Sequence, residues 1–185
     1  MDDPLIREPI PAPPSSTLNG NGNRVPSRLR LFESRPLSQG EIALAHPVFG
    51  DAIAYDKVRI AQGPRWRLYG AMAPFRHTII HGAWPAARDF ASAPLDEQGW
   101  FIHEMAHVFQ AARGVVLPLS KLRAMGRKAY RFELKAGDRF EDFNIEQQAE
   151  IARALFLARM GAKGQAVALA ALEAVWPVKR PTATL

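Results

Sequence analysis

The segment from residue 94 to 114 constrains the fold of this chain more than any other. Its apolar residues recur at i, i+3, i+4 and i+7, which predicts a helix from about 96 to 113 with one buried side. Asp96 can cap the first turn, and Gly114 can end the helix. Inside it stands the run His103-Glu104-Met105-Ala106-His107. The fold must therefore cover one side of a helix that also carries two histidines.

The spacing of these histidines indicates a metal site. Residues at i and i+4 lie one above the other on a helix, and two imidazoles placed in this way can bind a single Zn²⁺. Glu104 lies beside them, where it can take a proton from a water molecule rather than bind the metal. We therefore predict zinc as the cofactor, His103 and His107 as ligands and Glu104 as the catalytic residue. Two surface histidines on a helix are the alternative.

A zinc hydrolase needs a third protein ligand. The metzincin pattern is excluded, because Gln110 and Arg113 stand where its glycine and third histidine would be. A second helix is predicted from about 145 to 160, with Glu146 and Glu150 at i and i+4 beside its apolar stripe. We expect Glu146 to bind the metal and Glu150 to accept a hydrogen bond from a ligand histidine. Reversed roles, or two exposed acids, remain alternatives.

Composition excludes several other classes of protein. With 185 residues, 48% hydrophobic and 23% charged, the chain fits one globular domain and does not fit a wholly disordered chain. No apolar stretch approaches the ~20 residues of a membrane span, so no membrane partner is expected. The absence of cysteine excludes disulfides, cysteine-ligated zinc and thiol nucleophiles. The acidic, proline-containing start is not a secretory signal, so the default location is the cytoplasm, and export without a signal remains open.

The net charge of +6 is unevenly distributed. Residues 113–139 carry eight lysines or arginines, which could bind nucleic acid. Aromatic residues are sparse among them and no nucleic-acid-binding motif is present, so we expect a solvated surface and no nucleic-acid partner.

The pattern along the chain predicts one folded domain between two tails. Seven of the fifteen prolines lie in residues 1–36, which we predict to be a disordered tail. The folded domain is placed at 37–178 and a C-terminal tail at 179–185. Further predicted elements are a helix from Ser38 to Gly50, capped by Ser38 and Glu41, strands at 55–60, 66–69, 77–81 and 129–135, and helices at 119–128 and 164–175. The predicted fold class is α+β, with a small mixed sheet packed on the helix of residues 96–113.

HEMAH followed by EQQAE resembles the gluzincin arrangement of zinc metallopeptidases, in which HExxH precedes ExxxD on a second helix. The resemblance implies a minimal zincin-like fold and the ligand roles given above. Glu150 stands where the family has Asp, so its contact must reach through one more methylene. The longer run from LSQGEIALAHPVFG to FIHEMAHVFQ is similar to the bacterial DUF4157 family, and more closely to the short Vgr-related proteins of alphaproteobacteria.

This resemblance implies peptide-bond hydrolysis on a peptide or protein substrate. Many DUF4157 relatives are linked to contractile or type VI secretion gene clusters. The alternative is therefore a catalytically weak or inactive zinc-bearing module that interacts with components of a secretion system.

Two weaker site predictions accompany the resemblance. In gluzincin-like enzymes a strand near the metal pairs with an extended substrate, and His77, Ile79 and His81 would share one face of such a strand. Either histidine is also an alternative ligand, or an ordinary strand residue. Tyr130 could stabilise an oxyanion, although it could instead pack with Phe132.

Overall fold

The computed structural model describes residues 16–18, 24–64, 71–75, 77–82, 84–117, 130–162 and 167–179. The helices within this part are α1 (Gln39–Phe49), α2 (Leu95–Ala112), α3 (Ile145–Arg159) and α4 (Leu169–Val175). The strands are β1 (Ser16–Leu18), β2 (Arg24–Pro26), β3 (Ser34–Pro36), β4 (Arg59–Gln62), β5 (Ala71–Phe75) and β6 (Thr78–His81). The predicted α+β class is confirmed.

Four of the strands form the mixed sheet that the sequence predicted. Their order is β3-β4-β6-β5, with β4 and β6 parallel and the other neighbours antiparallel. Ile60 lies opposite Ile79, and both side chains are fully buried against the helices. β1 and β2 pair separately as an antiparallel ribbon.

The strand order corrects one prediction about substrate binding. β6 has partners on both sides, and Ile79 and His81 on it are buried. No backbone edge of β6 is left for an extended peptide, so the proposed pairing through His77, Ile79 and His81 is wrong. The strand that lies at the edge next to β6 is β5.

Two helices, α1 and α3, begin where side chains satisfy their first backbone N–H groups. Ser38 and Glu41 form the predicted capping box of α1, and Asn144 caps α3 by accepting from the backbone N–H of Glu146 and Gln147.

α2 begins after Pro94 without a side-chain cap, and Asp96 lies inside its first turn, so the predicted capping by Asp96 is wrong. α2 and α3 then pack along one another, and most of the second half of α2 is buried. Two helices that were predicted separately therefore form one unit.

An aromatic cluster joins α1, Phe140 and the residue after α4 to α2. Phe109 of α2 contacts Phe49 of α1, Phe140 and Trp176, with ring centroids 5.7–6.2 Å apart. The Trp176 indole N–H donates to the carbonyl oxygen of Val48 at 2.7 Å. Burial of four aromatic rings supplies much of the apolar area that stabilises this end of the domain.

The predicted start of the folded domain at residue 37 is too late. Leu29 is buried in the core, and β3 pairs with β4. Arg28 forms a bidentate ion pair with Glu97 of α2, at 2.7 and 2.8 Å. Residues 28–36 therefore belong to the domain, while residues 1–15 and 19–23 lie outside the described part.

Three predicted elements differ in extent. Residues 55–57 form a 3₁₀ turn, and the strand begins only at Arg59. No strand forms at 131–135, which has no partner strand among the described residues. α4 begins at Leu169 rather than at 164. The predicted strand at 66–69 and helix at 119–128 lie outside the described residues, as do 163–166 and 180–185.

Candidate metal centre

Three buried side chains from two helices converge on one point. His103 and His107 of α2 and Glu146 of α3 each offer a ligand atom, and these atoms lie within 4.8 Å of one another. Nε2 of each histidine is 3.4 Å from the same oxygen, Oε2 of Glu146. These are the three residues that we predicted as metal ligands from the sequence, and together they could hold a metal ion.

The local helices explain why these atoms meet. The spacing of i and i+4 places both imidazoles on one side of α2. Asn144 fixes the start of α3, so that Glu146 lies in the first turn, where α3 packs against α2. The cluster therefore depends on one helix for two ligands and on a helix–helix contact for the third.

A carboxylate lies behind His103. Its Nδ1 is 2.8 Å from Oε1 of Glu150, and Oε2 of Glu150 is 3.4 Å from the guanidinium of Arg153. Arg153 in turn covers the ring of Trp100 at 4.3 Å. The longer glutamate thus reaches the histidine in the way that the sequence predicted.

These contacts shift two pKa values. Burial disfavours the charged forms, but the contacts of Glu150 with His103 and Arg153 outweigh it and lower the pKa of Glu150. Burial also opposes the imidazolium of His103, yet the carboxylates of Glu146 and Glu150 outweigh it and raise the pKa of His103 to about 9. In the metal-free protein the imidazole of His103 is therefore positively charged at neutral pH, and a metal ion that binds its Nε2 would displace a proton.

A neutral amide lies behind His107. Nδ1 of His107 is 2.9 Å from Oε1 of Gln110, whose Nε2 contacts Gln148 on α3. Sequence reasoning used Gln110 only to exclude the metzincin pattern. Its position one turn after His107, a predicted ligand, was the signal that could have pointed to this contact.

Glu104 lies in the wall of the same site. The side chain is buried, and its Oε2 has no hydrogen-bond partner among the described residues. Its negative charge acts on His81, which stacks on Phe90 at 5.4 Å. Burial lowers the pKa of His81 to about 4 against the opposing effect of Glu104. His81 thus lies on the sheet beneath α2, as a neutral residue at neutral pH.

Neither His77 nor His81 joins the ligand cluster among the described residues. Tyr130, by contrast, lies beside the site. Its half-exposed ring stacks on His103 with centroids 6.2 Å apart, whereas Phe132 packs on Phe143. Burial, together with the charge of Glu146, raises the pKa of Tyr130 to about 12, so its hydroxyl remains protonated.

Comparison with known proteins relates this arrangement to a secretion system. The chain is 38% identical over 131 residues to the type VI secretion system spike protein VgrG2b of Pseudomonas aeruginosa. This match covers 66% of the chain and 13% of the spike protein. The solved effector domain of Pseudomonas aeruginosa VgrG2b is 35% identical, with a TM-score of 0.64, over 76% of this chain and 80% of that domain. The chain belongs to the family of this VgrG2b effector domain.

Membership of the VgrG2b effector-domain family confirms the predicted relation to Vgr-related proteins. No protein-family model matches the chain, so the similarity to DUF4157 stays a prediction. Within the described residues, no helix combines the length and the apolar character needed to cross a bilayer.

Proposed function

We propose that this domain is a zinc-dependent peptidase and that it acts as an effector domain of a type VI secretion system. The observation that carries the proposal is the buried cluster of His103, His107 and Glu146, with Glu104 beside it. The names of the related spike protein and effector domain support the association with secretion.

The residues present fit a zinc ion. Nε2 of His107 and Oε2 of Glu104 are buried and make no hydrogen bond among the described residues. Two imidazole nitrogens and one carboxylate are a common donor set of catalytic zinc, whereas closed structural sites usually take four ligands, with cysteine among them. Zinc held in this way lowers the pKa of water and polarises a carbonyl group.

The chain's own residues supply the remaining chemistry. Glu104 accepts the proton of the attacking water and delivers it to the nitrogen of the leaving amine. Tyr130, whose hydroxyl stays protonated, donates a hydrogen bond to the carbonyl oxygen as negative charge develops there. Glu150 holds His103 from behind, so that its Nε2 faces the cluster.

The second candidate is an inactive zinc-bearing module of the secretion system. The relatives, a type VI secretion spike protein and the effector domain of VgrG2b, support association with secretion without requiring hydrolysis. An active site needs the free carboxylate of Glu104, whereas a structural module does not.

The substitution Glu104→Gln separates the two candidates. It keeps the shape of the side chain and removes the base, so zinc content and thermal stability should match wild type. Cleavage of a mixed peptide library should fall ~10²–10⁴-fold, as expected for the loss of a general base. Glu141→Gln, which removes an exposed carboxylate away from the cluster, is the matched control and should cleave normally.

Two outcomes would contradict the proposal. Chelator-sensitive cleavage that survives Glu104→Gln would exclude the assigned base. Zinc-loaded wild-type protein that cleaves no peptide of a broad library would favour the inactive module.

A further inference from the structure

Two buried amide side chains connect His107 to the start of α3. Oε1 of Gln110 lies 2.9 Å from Nδ1 of His107. Nε2 of Gln110 donates to the carbonyl oxygen of Ile145 at 2.8 Å and to Oε1 of Gln148 at 3.0 Å. Gln110 is 1% exposed and Gln148 9%, so water cannot readily substitute for these partners.

The orientation of both amides follows from their backbone partners. Nε2 of Gln148 donates to the carbonyl oxygens of Phe140 and Phe143, at 3.0 and 2.9 Å. Because these groups only accept, Gln148 must present its own oxygen to Gln110. Gln110 must then present its NH₂ group to Gln148 and Ile145, and its oxygen to His107. Nδ1 of His107 is therefore the nitrogen that carries hydrogen.

We infer that Gln110 and Gln148 are positioning residues that hold His107 as the Nδ1–H tautomer. This leaves the lone pair of Nε2 directed at Glu146, where a ligand nitrogen is needed. The inference rests on the metal-binding part of the proposed function and does not depend on hydrolysis.

The two ligand histidines are thus held by different means. His103 contacts the charged carboxylate of Glu150. His107 contacts the uncharged amide of Gln110, whose orientation is fixed through Gln148 by backbone carbonyl groups. A carboxylate at position 110 would still accept from His107, but it would face two acceptors, Ile145 and Gln148. Position 110 therefore needs an amide, because its side chain must donate to Ile145 and Gln148 as well as accept from His107.

The first test compares zinc affinity by competition with a chelator. Gln110→Met keeps the side-chain length and removes both hydrogen-bonding groups, and Gln110→Glu keeps only the acceptor. Both should weaken zinc binding ~10–100-fold. Gln98→Met is the matched control, since Gln98 lies on the same helix and also donates to two backbone carbonyls, of Ala91 and Ala93. It should bind zinc like wild type.

The second test reads the tautomer directly in the wild-type protein. In the metal-free protein, where no ion dictates the tautomer, ¹⁵N-edited NMR of the histidine rings should place the hydrogen of neutral His107 on Nδ1. A hydrogen on Nε2, or Gln110 variants that bind zinc like Gln98→Met, would overturn the inference. Wild-type protein that binds no zinc would instead refute the metal site itself, so the two failures are distinguishable.

Discussion

The ion pair between Arg28 and Glu97 gives a sharp prediction about stability. Glu97 lies two turns before the histidines on α2, with its side chain 4% exposed, and Arg28 is 16% exposed. Arg28→Met leaves a carboxylate buried without its cation, which typically costs about 3–5 kcal/mol of the free energy of unfolding. Since 1 kcal/mol shifts the Tm of a domain of this size by about 2–4 °C, the expected loss is about 6–20 °C.

The chain contains a matched control for this change. Arg88 pairs with Glu33 at 2.7 Å, the same distance as Arg28 with Glu97, but both partners are about one-third exposed. Arg88→Met should therefore cost less than about 1 kcal/mol. The double variant Arg28→Met/Glu97→Met should recover most of the loss, because no charge is left buried. Urea denaturation of the wild type and these three variants measures each loss of stability, and equal losses for the two single arginine variants would refute the reasoning.

Three further predictions concern the site and the N-terminal segment. Glu146→Ala should abolish zinc binding and Glu150→Ala should weaken it ~10–100-fold, measured by metal analysis and chelator competition; the reverse order would exchange their roles. In metal-free protein, the stability due to His103, whose folded pKa is raised from 6.5 to about 9, is fully present below pH 6.5 and is lost as the pH rises through about 9; urea denaturation that shows no such fall would contradict this. Deleting residues 1–15 should leave the Tm unchanged, whereas deleting 1–36 should lower it, because only the longer deletion removes Leu29 and β3 from the core; equal Tm values would contradict this.

The cluster of His103, His107 and Glu146 was predictable because the positions of its residues depend mainly on local sequence. The spacing of His103 and His107 within one helix fixes their relative position, and the capping residue Asn144 fixes the phase of Glu146 and Glu150 in α3. The remaining information is the contact between α2 and α3. Both helices have an apolar stripe that must be buried, and packing them against each other buries both.

The predictions that failed concern residues whose partners are distant in sequence. Composition marks residues 1–36 as a tail, but Arg28 finds Glu97 at a separation of 69 residues. The interior position of β6 follows from its pairing with β4 and β5, which no local pattern reveals. Gln110 likewise acquires its role from Ile145 and Gln148, 35 and 38 residues away.

The predicted ligands lie on two different helices. Metal binding would therefore stabilise the whole folded domain. Any ion held by His103, His107 and Glu146 acts as a reversible cross-link between α2 and α3, closing the chain between positions 107 and 146. An ion that binds only the folded chain adds about 1.4 kcal/mol of stability for each tenfold excess of its free concentration over the dissociation constant. The resistance of this domain to unfolding would then vary with the metal supply of the compartment that it occupies.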